Sequence, residues 1–274
     1  MPELPEVETI KQSLLPLLRG QQIIASEISL PKLLQNVTAG EFAGLIANRG
    51  IQDIVRRGKY LLFRLSGDYT LVVHLRMTGQ LRFAAGALPH LPHTHIVLKL
   101  ASGSELRYTD PRQFGYWFIA ADSEITRVAR MEHLGVEPLS AEFTALALAS
   151  LLAGRRGTIK SLLLNQRIIA GIGNIYADEA LFLAGIRPDR VAGELALGEI
   201  ARLHEVVRDV LALGVKMRGT TFSDYLDGLG QEGGFQHQLQ VYGRAGEACL
   251  TCGGEIVRLV VAGRGTHCCR QCQN

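Results

Sequence analysis

The chain has 274 residues, of which 47% are hydrophobic and 20% charged, with a formal net charge of +3. That balance excludes a disordered chain, and the length exceeds what one compact core comfortably fills, so two domains are expected. The mild positive charge suits a polyanionic partner without establishing one. The longest apolar run, Ala145 to Ala153, is too short for a bilayer span, and the opening MPELPEVETI is acidic where a secretory signal would be basic and then apolar, so a cytosolic protein with no membrane association is expected.

In chain order, Val7, Ile10, Leu14 and Leu17 recur at helical spacing, which predicts a helix from near Pro5 that ends or kinks close to Pro16. From about Gln21 to Ala120 the pattern changes to short runs of β-formers, clearest in LVVHLR (71–76), HIVLKL (95–100) and YWFIA (116–120). Turn pairs Gly67-Asp68, Thr78-Gly79 and Ser102-Gly103 separate them, as in a sandwich or barrel. The pattern breaks around HLGVEPLS (133–140), and helices follow. Ser140 is a cap for a helix to about Gly154, and Thr158 for one through Asn165. A third helix, from about Asn174, stops at Gly185 ahead of Pro188. Ile200, Leu203, Val207, Val210 and Leu211 mark a long amphipathic helix ending at Gly214 or Gly219. The stretch MRGTTFSDYLDGLGQEGGFQ (217–236) has no period, and a loop of that length is functional or disordered.

All five cysteines lie in the last 26 residues, and four form the pairs Cys249-x2-Cys252 and Cys269-x2-Cys272 with sixteen residues between them. Two such knuckles supply four thiolates for a closed, structural zinc shell, the reading favoured over disulfides in a cytosolic chain. Cys268 is a bystander beside a ligand. Between the knuckles, Gly263-Arg264-Gly265 sits at or near a hairpin turn, where an arginine flanked by glycines suits a phosphate or is simply solvated.

Three other stretches carry chemistry-bearing residues. In AGIGNIYADEA (170–180), Gly171 and Gly173 precede Asn174 at a helix start, which is either an anion site or an ordinary packing turn. Arg155, Arg156 and Lys160 could extend a phosphate track from it. YTDPRQFG (108–115) reads as a β-turn, yet it leaves Arg112 and Phe114 two residues apart on an exposed loop. An enzyme that extrudes a base needs a wedge to fill the hole and a donor to hold the orphaned partner; Met77 in HLRMTG is a second apolar candidate. At the start, Pro2-Glu3 and Pro5-Glu6 either begin a helix or, once Met1 is removed, leave Pro2 as a free secondary amine beside a carboxylate.

Taken together, PELPEVE, RRGKYL, HLRMTG, DPRQFG, AGIGNIYADE, QVYGR and the final CxxC…GRGTHxCxxCQ resemble the bacterial formamidopyrimidine-DNA glycosylases in order and spacing over essentially the whole chain. The sister endonuclease VIII branch usually begins PEGPE, so the branch acting on oxidised purines is the better match. The resemblance implies an α+β two-domain fold: an N-terminal β-sandwich with a leading helix, then a helix–two-turn–helix bundle ending in a four-cysteine zinc-finger hairpin. The expected limits are 1–131 for the sandwich, 132–139 for a linker, 140–236 for the helical domain including a lesion loop at 217–235, and 237–274 for the hairpin.

The same resemblance implies a bifunctional glycosylase and abasic-site lyase that removes 8-oxoguanine and formamidopyrimidines from double-stranded DNA. Pro2 would be the nucleophile and form a Schiff base, and Glu3 the acid. Lys59 would serve β-elimination, and Arg264 backbone binding and δ-elimination. Met77, Arg112 and Phe114 would fill the void left by the flipped nucleotide, with His93, Arg155, Lys160 and Asn174 on the DNA backbone. One structural zinc on Cys249, Cys252, Cys269 and Cys272, a monomer, and a bacterial cytoplasmic location on the nucleoid complete the expectation. The alternatives are an endonuclease VIII-like enzyme for oxidised pyrimidines and a non-catalytic zinc-ribbon protein that binds damaged DNA, which would have no need of Pro2, Glu3 and Lys59. Small departures are Thr78 where several relatives carry glutamate, Gln113 where arginine or lysine is usual, and Cys268 in place of an aromatic residue.

Overall fold

The computed structural model describes residues 1–86 and 89–274, which group into two compact units. The first comprises Met1–His133 with Met217–Gly234; the second comprises Leu134–Lys216 with Phe235–Asn274.

The first unit opens with helix α1 (Leu4–Leu18), whose Leu4, Val7, Ile10, Leu14 and Leu18 are wholly buried. Pro5 sits in the first turn, where the missing N–H is no loss. The helix ends at Leu18, close to where Pro16 suggested, and Pro16 itself stays within the last turn. It lies on the exposed face, and the buried Leu18 holds the last turn in place, closed by Arg19 N–H to the Leu15 carbonyl at 3.0 Å.

Eight strands follow, interrupted by helix α2 (Ala39–Ile46): β1 (Gln22–Ile28), β2 (Arg49–Arg57), β3 (Tyr60–Leu65), β4 (Tyr69–His74), β5 (Gln80–Ala84), β6 (Thr94–Leu100), β7 (Glu105–Thr109) and β8 (Tyr116–Ala121), with a short α3 (Ile125–Val128) after them. They pair antiparallel in the order β5-β7-β6-β1-β2-β3-β4-β8. The β1–β2 ladder is short, with Gln22 opposite Gly50 and Ile23 opposite Arg49, and the sheet divides there into two four-stranded layers. Inward residues of both layers meet in one core with the apolar face of α1, among them Leu98, Leu106 and Tyr108 from one side and Phe63, Val73 and Trp117 from the other. Tyr108 packs edge-on against Trp117 with ring centres 5.5 Å apart, closing the sandwich.

The second unit has four helices, α4 (Ala145–Leu152), α5 (Ile159–Leu163), α6 (Asn174–Leu183) and α7 (Leu197–Lys216), and a hairpin of β9 (Ile256–Val261) and β10 (Arg264–Cys269). Thr144, not Ser140, caps α4, accepting from Ala147 N–H at 3.0 Å; the Ser140 hydroxyl instead donates to the Glu137 carbonyl at 2.9 Å. Thr158 caps α5, and Gly185 follows α6 in the left-handed conformation that favours glycine. Helix α7 buries Ile200, Leu203, Val207, Val210 and Leu211 along one stripe.

Candidate active site and nucleic-acid-binding residues

The first unit holds Pro2, Glu3, Lys59, Met77, His93, Arg112 and Phe114. Pro2 is buried ahead of α1, and Glu3 is 3% exposed at its N-cap. The Glu3 N–H donates to Glu6 Oε2 at 2.7 Å. The other oxygen of Glu6 accepts from Thr220 N–H at 2.7 Å, so one buried carboxylate ties the chain start to the aperiodic segment. Gly219 makes this approach feasible: its φ of +80° lies in the left-handed region that favours glycine, and a Cβ there would stand 2.8 Å from Glu6 Oε1.

Residues 217–234 are well anchored within this unit. Gly228 N–H donates to Ser13 Oγ at 3.0 Å, Phe83 N–H to the Gly228 carbonyl at 2.9 Å, and Gln80 Nε2 to the Asp224 carbonyl at 2.5 Å. Asp227, wholly buried, accepts from Leu229 and Gln231 N–H at 2.8 and 2.9 Å and pairs with Arg218. Phe222 stands out from the segment, 57% exposed.

Lys59 follows β2 and is buried. Arg56 steadies the same turn, bonding the Gly58 carbonyl at 3.1 Å and the Glu8 carboxylate of α1 at 2.9 Å. The β3–β4 register sets Tyr60 opposite His74 and so brings Lys59 alongside the start of HLRMTG. There His74 stacks on Tyr116 and accepts from Arg76 N–H through Nδ1 at 3.0 Å; burial, then the charges of Arg76 and Lys59, press its pKa down to about 3. Met77 and Phe114 are exposed, and the Arg112 guanidinium lies over the Phe114 ring at 5.0 Å. His93 is exposed, with its carbonyl accepting from Asp110 N–H at 3.0 Å.

The second unit holds Arg155, Lys160, Asn174, Arg264 and the cysteines. Ala262 and Gly263, both with positive φ, form the two-residue turn of the β9–β10 hairpin, and Arg264 leaves it exposed to solvent. Asn174 Nδ2 and Lys160 Nζ both donate to the Gly265 carbonyl, at 2.9 and 3.2 Å, so two of the expected residues converge behind the hairpin tip that carries a third, Arg264. Lys160 is fully buried, its ammonium directed to Thr266 Oγ1 at 2.7 Å and to Asp178. Arg155 is exposed in the connection before α5, its N–H donating to the Leu152 carbonyl at 3.1 Å and its carbonyl accepting from Gly193 N–H at 3.0 Å.

The four ligand sulfurs of Cys249, Cys252, Cys269 and Cys272 lie within 4.8 Å of one another, with Cys249–Cys272 at 3.8 Å and Cys252–Cys269 at 3.4 Å. A tetrahedron of Zn–S bonds near 2.3 Å requires sulfurs about 3.8 Å apart, so the cluster fits one zinc ion with no open position. Although burial opposes it, amide hydrogen bonds from residues 252 and 251 bring the Cys249 thiol down to about 7, whereas burial and the neighbouring sulfurs push the Cys272 thiol up. Cys268 is buried and outside the cluster.

Several positioning groups escaped the sequence: Glu6, Asp110, Asp178 and Glu179. Glu179 is buried and accepts from Gln240, Val241 and Tyr242 N–H at 2.8, 3.0 and 2.8 Å, fixing QVYGR. The one available signal was a carboxylate within a helix otherwise buried all round, as Asp178 and Glu179 are in α6.

The chain matches three family models in succession: the formamidopyrimidine-DNA glycosylase N-terminal domain over residues 1–117, the formamidopyrimidine-DNA glycosylase H2TH domain over 134–225, and the zinc finger found in FPG and IleRS over 246–274. It is 52% identical to the formamidopyrimidine-DNA glycosylase of Moorella thermoacetica, with 94% of each chain covered. It is 47% identical to that of Pelotomaculum thermopropionicum over all of this chain and 99% of the relative. Among solved structures, a mutant of the Lactococcus lactis enzyme in complex with Fapy-dG containing DNA superposes over the full length of both chains with a TM-score of 0.94 at 37% identity. With the four-thiolate cluster and the sandwich in place and relatives alike from end to end, the chain belongs to the formamidopyrimidine-DNA glycosylase family.

Proposed function

We propose that this protein is a base-excision repair enzyme that removes oxidised purines from duplex DNA through a Schiff base on Pro2 and then cleaves the strand by β,δ-elimination. The observation that carries the reading is the Glu6 carboxylate, which joins the Glu3 amide of the chain start to the Thr220 amide of the glycine-rich segment. A base-recognising loop and the residue that follows the reacting amine are thereby tied to one buried group. The Lactococcus lactis relative, solved with Fapy-dG containing DNA, supports the same substrate class here.

With Met1 removed, the Pro2 nitrogen attacks the sugar C1′ and the bond to the damaged base breaks. Glu3 protonates the ring oxygen, the sugar opens, and the secondary amine is left as a cationic iminium. Glu3 is buried next to Pro2 in the chain, which suits that role. The iminium acidifies C2′; as a proton is lost there, its electron pair forms the C2′–C3′ double bond and the 3′ phosphate leaves by β-elimination, the step to which Lys59 is assigned. Arg264 assists the second elimination, and the product is a one-nucleotide gap with phosphate at both ends. Arg264, Asn174 and Arg155 meet the DNA backbone, with Lys160 acting from beneath. Met77, Arg112 and Phe114 occupy the void beside the extruded nucleotide, and His93 binds the backbone nearby. Zinc on the four cysteines holds the Arg264 hairpin folded and takes no part in the chemistry.

No helix among the described residues is long and apolar enough to cross a membrane. We further propose that the enzyme works as a monomer on nucleoid DNA in the bacterial cytoplasm, a reading supported by its bacterial relatives. The test is borohydride trapping with a labelled duplex carrying 8-oxoguanine opposite cytosine, using protein whose N-terminal mass shows Met1 removed. A covalent adduct mapping to Pro2 is expected. Intact DNA binding with no adduct would leave only a binding protein.

A further inference from the structure

Asp110 lies at the end of β7 with no exposed surface, and its carboxylate collects hydrogen bonds from two separate connections. Oδ1 accepts from the Thr78 hydroxyl at 2.6 Å, in the segment between β4 and β5. Oδ2 accepts from Gly115 N–H at 2.8 Å, in the segment between β7 and β8, and from the Tyr108 hydroxyl at 3.1 Å. The Asp110 carbonyl accepts from Gln113 N–H at 3.1 Å and faces His95 Nε2 at 3.1 Å. Thr78 completes the joint, because its oxygen also accepts from Arg112 N–H at 3.3 Å. One hydroxyl therefore donates to the carboxylate and accepts from the backbone of the arginine.

The packing around this joint leaves no slack. A Cβ on either Gly79 or Gly115 would run into the Tyr108 hydroxyl. Burial and the neighbouring Asp110 charge push the Tyr108 phenol far above the usual tyrosine range, so it remains a donor. Above this fixed base, Met77 and Phe114 are left exposed, 41% and 53%, with Arg112 over the Phe114 ring. Apolar side chains held out in solvent on two different connections are useful only if their spacing is set from below.

We infer that Asp110, acting through Thr78, is a positioning residue that locks the Met77 and Arg112–Phe114 connections into a single void-filling unit and so sets the opposite-base selectivity of the enzyme. This rests on the proposed role of Met77, Arg112 and Phe114. A carboxylate that merely satisfied its own turn would not need Thr78, which is remote in sequence and bonded to the arginine as well.

The test compares Thr78→Val, which keeps the shape and removes both hydrogen bonds, with Thr78→Ser, which keeps the hydroxyl, and with Arg112→Ala. Single-turnover excision of 8-oxoguanine is measured opposite cytosine and opposite adenine, beside the melting temperature of each zinc-loaded variant. Loss of a charge-assisted hydrogen bond predicts that Thr78→Val slows excision opposite cytosine by about tenfold and moves the cytosine-to-adenine ratio toward that of Arg112→Ala. Thr78→Ser is expected to stay within about twofold of the wild type on both measures. If Arg112→Ala changes the ratio while Thr78→Val leaves rate and ratio untouched, the joint is overturned and the role of Arg112 stands. If Arg112→Ala itself leaves the ratio unchanged, the proposed role of Arg112 fails, and this inference with it. Equal losses in Thr78→Val and Thr78→Ser would mean a packing role alone and would also overturn it. Should Thr78→Val fail to fold, Asp110→Asn, which preserves the shape of the carboxylate, is put through the same comparison with the same outcomes.

Discussion

Lys160 and Asp178 form an ion pair 2.6 Å apart with both side chains fully buried. The pair joins α5 to α6 and reaches the hairpin on both sides. Lys160 donates to Thr266 and the Gly265 carbonyl, while Asp178 Oδ2 accepts from His267 N–H at 2.9 Å. The tip that carries Arg264 is thus fixed by charge from within, in addition to the thiolate cluster at its base.

Removing one partner leaves the other charge stranded. Lys160→Met is expected to lower stability by about 3–5 kcal/mol, and Lys160→Met combined with Asp178→Leu to recover most of that loss, since an apolar pair avoids the desolvation of both ions. Urea unfolding of the zinc-loaded proteins measures both. A double variant no more stable than the single one would mean that the bonds to Thr266 and Gly265, not the charge pair, dominate.

The zinc makes a separate contribution. The hairpin packs a small apolar cluster, its Ile256 with Phe182 and Val241 around Cys249 and Cys269, too little to hold it without cross-links. One zinc per chain is expected, and Cys249→Ser should abolish tight retention. A chelator that removes the ion should weaken binding to an abasic-site duplex by at least about tenfold, as the hairpin loses the fold that metal binding supplies. Zinc content by mass spectrometry and titration by fluorescence anisotropy read the two effects. Unchanged affinity in the zinc-free protein would remove the hairpin from the DNA-binding surface.

What could be read from the sequence followed from the range of the interactions involved. The cysteine pairs and the stripe of α7 are written in local spacing, and both are where that spacing puts them. Ser140 and Thr144 are equally good caps by residue type, and which one is used depends on where the preceding turn ends. Asp110 reads as the first residue of a turn, because its partner Thr78 is 32 residues away and no periodicity announces it. The affiliation of 217–234 with the first unit was hidden for the same reason: its anchors, Glu6, Ser13, Gln80 and Phe83, lie on distant elements.

That segment supplies a further test through Asp227, whose buried carboxylate caps two amides of its own turn and pairs with Arg218. Asp227→Ala strands those donors, and the segment should exchange its amide hydrogens faster over 217–234. Excision of 8-oxoguanine is expected to fall about tenfold, the scale of a lost charged hydrogen-bond acceptor, with a smaller loss of strand cleavage at a pre-formed abasic site. Equal loss on the two substrates would mean that the segment does not read the base.

His74 sets an acid limit on stability. It is 7% exposed, lies edge-on to Tyr60 and stacked on Tyr116, and its pKa is lowered from 6.5 to about 3 by burial and then by Arg76 and Lys59. A lowered value means that the unfolded chain takes up a proton as the pH falls through about 6.5, whereas the folded chain stays neutral until about 3. The stabilisation is therefore complete above the unfolded value and is lost progressively as the pH falls between the two. At pH 5 the loss amounts to roughly 2 kcal/mol, about 1.5 pH steps at 1.36 kcal/mol each. His74→Asn cannot titrate there, and its Oδ1 can still accept from Arg76 N–H. Urea unfolding at pH 7.5 and pH 5 should show a fall in stability about 2 kcal/mol smaller in His74→Asn than in the wild type. Protonation of the zinc thiolates affects both proteins alike and cancels in the difference. An identical fall in the two would place the acid sensitivity elsewhere and leave His74 with a packing role beside Lys59.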